Sequence, residues 1–235
     1  MRPELISFDA AGTLIDVEWH PGKFAVERAL EVGIPLDRQV AEETYSRLLY
    51  TRWREYGNIN RTRNHAACDA FWRDLSADWL HALQVPPDSL EPLLDAAERE
   101  LYGPDQRVFR LYPDALPTLE KLKEDGWRMV ILSNWDYSLH RIARNLGLEP
   151  FFEHIFASLE EGPEKPHPDL FRTVEQRTGV ASASILHIGD HPVDDVEGAR
   201  GAGWRSVFLD RSREGSWPPV MNSLTQAREA IDWSA

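Results

Sequence analysis

The 235-residue chain has a single cysteine, Cys68, so no disulfide can close within it and a reducing compartment, the cytoplasm, is the expected setting. Long apolar runs are missing too. No window approaches the roughly 18 consecutive apolar residues of a membrane-spanning helix, and the opening MRPELISFDA has no stretch able to serve as a signal peptide. A soluble protein with no membrane partner is expected. Positive charge is scarce: 26 Lys and Arg stand against 39 Asp and Glu, and a net charge of −13 would repel a phosphodiester backbone over most of the surface, so nucleic acid is not an expected partner. Internal repeats and low-complexity tracts are also wanting. What remains is 42% hydrophobic and 28% charged, the balance of a globular protein. The length suffices for one large domain or for a core with a smaller insert.

Leu5-Ile6-Ser7-Phe8 is a short β-prone run that ends on Asp9 and is followed by small residues and Gly12, the pattern of a strand delivering a carboxylate into a loop. From about Phe24 to Tyr102 the chain is rich in Ala, Leu, Glu and Arg with apolar residues at helical spacing. Gly33 with Pro35, then Gly57 with Asn58 and Asn60, then Pro86-Pro87 divide this block into about four helices. After Gly103-Pro104 strands alternate with helices: a helix after Pro113, a strand at 128–132, a helix at 137–146, a strand at 154–157, a helix at 169–178, a strand at 185–188, a helix at 193–202 and a strand at 206–209. Such alternation implies an α/β fold with a parallel, Rossmann-like sheet covered on both faces. Ligands collect at the carboxyl ends of the strands of such sheets.

Those ends carry Asp9, then Ser133-Asn134, then Gly189-Asp190, and Lys165 sits in the proline-bracketed loop Glu164-Lys165-Pro166-His167-Pro168. Each has a bland reading. Asp9 could cap a turn, Asp190-His191-Pro192 could be an Asx turn, and Asp194 with Asp195 would be favoured in any first helical turn by the helix dipole. The ordered set Asp9-Ala10-Ala11-Gly12-Thr13-Leu14, Ser133-Asn134, Lys165-Pro166 and Gly189-Asp190 with Asp194-Asp195 resembles the four motifs of the haloacid dehalogenase (HAD)-like hydrolase superfamily. The run Ser133-Asn134-Trp135-Asp136 and the segment Gly198-Ala199-Arg200-Gly201-Ala202-Gly203 look like its domain-containing protein 3 subgroup. That likeness implies an α/β core over 1–15 and 106–235 with an inserted helical-bundle cap over 16–105.

The resemblance also implies roles. Asp9 would be the nucleophile on a small phosphorylated substrate, and a Mg²⁺ ligand together with Asp190 and the Ala11 backbone carbonyl. Thr13 would orient the nucleophile, and Gly12, the Ser133 hydroxyl, the Asn134 backbone N–H and Lys165 would bind the phosphoryl oxygens. Asp195, or else Asp194, would reach the metal through water or orient Lys165. Phosphatases of the superfamily place a second aspartate two residues after the nucleophile as general acid and base; here that residue is Ala11. Three enzyme readings follow: a phosphatase of good leaving groups, or one borrowing His20, His191 or a substrate group; a metal-free 2-haloacid dehalogenase; and a phosphonoacetaldehyde hydrolase using Lys23. A fourth is a phosphate-binding or interaction protein without turnover. Trp53, Trp72 and Trp79 read as packing residues, and His187 as a satisfied strand histidine.

Overall fold

A computed structural model describes residues 2–212 and 220–232. The chain forms two compact units, Met1–Val17 with Arg110–Ala235 as one and Glu18–Phe109 as the other.

The first unit opens with β1 (Leu5–Phe8), and the chain leaves it through β2 (Ile15–Val17). The second unit holds α1 (Pro21–Glu31), α2 (Arg38–Arg61), α3 (His65–Ala82) and α4 (Leu90–Tyr102). Asp37 starts α2 by accepting from Val40 N, and Asn64 starts α3 by accepting from Ala67 N, each satisfying one of the free amides of a helix start. Gly57, Asn58 and Asn60 do not end a helix as the sequence suggests; they lie inside α2, whose break comes after Arg61. Gly57 and Asn60 are buried, and Asn60 Nδ2 donates back to Tyr56 O at 3.0 Å, so packing overrides the turn propensity of both. Trp79 is fully buried with Nε1 on Ala41 O at 2.8 Å, and Trp72 Nε1 donates to Tyr56 Oη at 2.9 Å; Trp53 is 42% exposed.

The chain returns through β3 (Phe109–Leu111), which pairs with β2. There follow α5 (Ala115–Glu124), β4 (Arg128–Ser133), α6 (Ser138–Asn145), β5 (His154–Ala157), α7 (Ser158–Glu161), α8 (Pro168–Thr178) and β6 (Ile185–Gly189). A π-helical turn over Pro192–Glu197 leads into α9 (Gly198–Gly201), then β7 (Arg205–Leu209), β8 (Val220–Met221) and α10 (Ala227–Asp232). The π turn stands where the sequence suggests the start of a regular helix.

Six of these strands form a sheet in the order β5-β4-β1-β6-β7-β8, and every pair is parallel. Strands buried on both faces need near-continuous apolar runs, and β1, β4 and β6 supply them, interrupted inside the sheet by Ser7 and His187. Leu5, Val130, Phe156, Phe171 and Trp204 belong to one buried cluster. The register aligns Phe8 with Ile131 on one side and Ile188 on the other, so Asp9, Ser133 and Asp190 leave adjacent strands at nearly one level. No helix among the described residues is long and apolar enough to cross a membrane.

Candidate active site

Asp9 is the first residue beyond β1, and its N–H donates to Ile188 O at 2.9 Å, which ties the turn to β6. Lys165 Nζ reaches Asp9 Oδ1 at 2.6 Å, Asp195 Oδ1 at 2.5 Å and Leu132 O at 2.9 Å. All three donors of the ammonium group are thereby used. The Lys165 backbone is held by the Asn134 side chain, whose Oδ1 accepts from Lys165 N at 2.7 Å while Nδ2 donates to Lys165 O at 2.9 Å. A turn that presents a buried ammonium is therefore fixed to the end of β4 by two hydrogen bonds.

Asp195 is as fully engaged. Its Oδ1 also accepts from His187 Nε2 at 3.0 Å, and its Oδ2 accepts from His191 N at 2.8 Å. A carboxylate only accepts, so His187 Nε2 carries the proton, and in the neutral ring Nδ1 accepts from the Ser7 hydroxyl at 2.9 Å. Thr13, expected to orient the nucleophile, donates its hydroxyl to Asp190 Oδ1 at 3.2 Å. Ala11 and Gly12 form the turn between Asp9 and Thr13, and Ser133, the last residue of β4, is buried. Gly12 has φ +73°, and a Cβ there would lie 2.1 Å from Asp190 Oδ2, so only glycine lets this backbone approach that carboxylate. Asp194 points elsewhere, with Oδ2 3.4 Å from His191 Nδ1. Lys23, in the second unit, is exposed and 4.0 Å from Glu27.

Asp9, Asp190 and Asp195 each offer a carboxylate oxygen within 4.8 Å of the others. Burial pushes Asp9 up to about 6 against the pull of Lys165, and the charges of Asp195 and Asp190 add to the rise. Asp190 is raised by burial and by Asp195, with Thr13 opposing. Burial would raise Asp195 as well, but the His187 hydrogen bond and the Lys165 charge hold it well below the usual carboxylate range. Burial works against the charge on Lys165; Asp9 and Asp195 outweigh it and push its pKa up. The cluster thus carries more negative charge than one lysine neutralises. Hard oxygen donors with surplus negative charge fit a divalent cation of the Mg²⁺ type.

The sequence reading missed the Asn134 side-chain clamp and the coupling of Ser7 to Asp195 through His187. A signal for the second exists: Ser7 and His187 are polar residues at facing positions of two otherwise apolar strands.

A model of haloacid dehalogenase-like hydrolases matches residues 3–203. The chain belongs to this family. It is 24% identical over 241 residues to the haloacid dehalogenase-like hydrolase domain-containing protein 3 of Mus musculus, covering 99% of this chain and 95% of that one. It is 34% identical to a phosphoserine phosphatase of Thermus thermophilus over 175 residues, 68% of this chain and 70% of that one. Among solved structures, a 2-haloacid dehalogenase from Pseudomonas syringae pv. Tomato superposes with a TM-score of 0.70 at 24% identity, covering 97% and 98% of the two chains. The HAD fold is therefore common ground, and the chain is a HAD-like hydrolase whose relatives and structural neighbours include both phosphatases and dehalogenases.

Proposed function

We propose that this HAD-like hydrolase is a Mg²⁺-dependent phosphatase of small phosphorylated metabolites that works through an aspartyl-phosphate on Asp9. The observation that carries the reading is the surplus of carboxylate at the strand ends: buried Asp9 and Asp195 and half-buried Asp190 crowd together with one ammonium among them. A halocarboxylate substrate would bring a further anion into that crowd, whereas a cation held by Asp9, Asp190 and the Ala11 carbonyl would draw a phosphoryl group in. When bound, Mg²⁺ supplies charge neutralisation for the phosphoryl oxygens. The phosphoserine phosphatase relative supports the same class of chemistry.

Ser133 and the Asn134 N–H hold the phosphoryl oxygens and the Lys165 ammonium neutralises charge beside them, while one oxygen of ionised Asp9 attacks phosphorus. The bond from phosphorus to the leaving oxygen breaks, and the rest of the substrate leaves as an alkoxide, phenolate or carboxylate that must be stable or take a proton. Water then attacks the aspartyl-phosphate, releasing inorganic phosphate and restoring Asp9. Ala11 cannot protonate the leaving oxygen, and such help is worth a factor of about 10²–10⁴. Substrates whose leaving groups need no proton are favoured.

Hydrolysis of p-nitrophenyl phosphate or acetyl phosphate should require Mg²⁺ and vanish in Asp9→Asn, and Ala11→Asp should speed hydrolysis of an alkyl phosphate about 10²-fold or more. Halide release from 2-chloropropionate without metal, with no phosphate release, would overturn the reading in favour of a dehalogenase. Beryllofluoride binding without any turnover would leave a phosphate-binding protein.

A further inference from the structure

Strand ends beyond β6 also reach the site. Phe208 of β7 faces Gly189 of β6, so the residues after Leu209 emerge on the rim where Asp190 stands. Two residues past β7, Arg211 sends Nη2 to Thr13 O at 2.6 Å and Nε to Gly12 O at 3.2 Å. Its other edge meets Asp114, with Nη1 to Oδ2 and Nη2 to Oδ1 both at 3.0 Å. Asp114 is itself held by the Ser223 hydroxyl at 2.8 Å and Leu224 N at 2.9 Å, and the guanidinium lies 3.8 Å over the Tyr112 ring. Both ends of this side chain are anchored.

The turn that Arg211 grips packs closely on Asp190. Gly12 lies against Asp190, and the neighbouring Thr13 hydroxyl bonds the same carboxylate. A shift of this turn changes the spacing of Gly12 to Asp190 and lengthens the Thr13 bond. A guanidinium holds two carbonyls and a carboxylate at once because its donors are spread over a rigid plane; an ammonium group is a single point of charge on a flexible stem.

We propose that Arg211 is a positioning residue: its guanidinium fixes the turn bearing Ala11, Gly12 and Thr13, and so sets the spacing to Asp190 on which divalent cation binding depends. The inference rests on the phosphatase reading for the identity of the cation. Partners behind a metal site cost about 10–100-fold in affinity when removed.

The test is the dissociation constant of Mg²⁺ by calorimetry on wild type, Arg211→Ala, Arg211→Lys and, as a control, Arg128→Ala, which breaks the remote pair with Glu153. The expected result is a Kd about 10–100-fold higher in Arg211→Ala and at least about 5-fold higher in Arg211→Lys, with Arg128→Ala unchanged. At saturating Mg²⁺, KM for p-nitrophenyl phosphate should stay within about two-fold while kcat falls about ten-fold, because Ser133, Asn134 and Lys165 lie on other segments and are untouched. Wild-type Kd in Arg211→Lys, or an equal loss in Arg128→Ala, overturns the proposal. If the alanine variant does not fold, the lysine variant, which keeps the charge and the stem, decides alone. Wild type that binds no Mg²⁺ overturns this proposal and the phosphatase reading together. Mg²⁺-dependent turnover with unaltered Kd in both Arg211 variants overturns only this one.

Discussion

Lys165 stands between two buried carboxylates, and each of the three groups depends on the others. Lys165→Met would leave Asp9 and Asp195 without the cation they face, which should cost about 3–5 kcal/mol at pH 7. The pH dependence identifies the cause. In wild type the folded-state pKa of Asp195 lies below its ordinary value of 3.8, so its stabilisation is present above about pH 4 and is lost as the pH falls further. In the methionine variant Asp9 would keep the burial that already raises it to about 6 and lose the pull of Lys165, so its carboxyl would bind a proton still more tightly folded than unfolded, while Asp195 would keep its His187 hydrogen bond. Stability of the variant should then rise as the pH falls from 7 toward 5, and the gap to wild type should narrow. Urea unfolding at both pH values measures this; a gap that does not change with pH would mean the loss is one of packing.

The elements that bring these residues together are turns at strand ends, and their glycines are not interchangeable. Gly126 and Gly12 share a positive φ, +79° and +73°, but a Cβ at Gly126 meets nothing within 4 Å, whereas at Gly12 it strikes Asp190. Gly126→Ala should cost only the left-handed backbone penalty, about 1–2 kcal/mol, and leave Mg²⁺ binding alone. Gly12→Ala should pay that penalty and also raise the Mg²⁺ Kd by about ten-fold or more. Calorimetry on the two variants separates the effects, and equal Mg²⁺ affinities would remove Gly12 from the site. The π-helical turn over Pro192–Glu197 decides another pair. Asp195 is buried on Lys165 and His187, while Asp194, one residue earlier, is partly exposed beside His191. A widened turn at a functional site is the usual setting of π geometry.

At the scale of the molecule, the second unit is an insertion between β1 with its following turn and the rest of the sheet. Its ends are close, since Glu18 N donates to Val108 O at 3.0 Å. Asp9, Thr13, Ser133, Lys165, Asp190 and Asp195 all belong to the first unit. Replacing 19–107 with a short Gly/Ser loop should therefore leave a first unit that unfolds cooperatively and binds Mg²⁺ within about ten-fold of wild type, at the modest entropic cost of closing a loop. Circular dichroism and calorimetry check it. A truncated protein that folds but has lost Mg²⁺ binding would place part of the site in the second unit.

Much of this was legible in the sequence because its signals are local. Apolar runs of four to six residues ending in Asp9, Ser133 and Gly189-Asp190 announce buried parallel strands, and their carboxyl ends mark the site. Gly57 and Asn60 misled because turn propensity was overruled by burial inside α2. What only the tertiary structure decided is which polar groups meet across large sequence distances: Thr13 with Asp190, Ser7 with His187, Asn134 with the backbone of Lys165, and Arg211 with the carbonyls of Gly12 and Thr13. A residue's face follows from a period of 2 or 3.6 read along the chain, but its partner follows from strand register and turn geometry. The sequence by itself therefore determined the sheet and the rim on which the chemistry sits, and the packing of distant segments determined how the charges on that rim are paired.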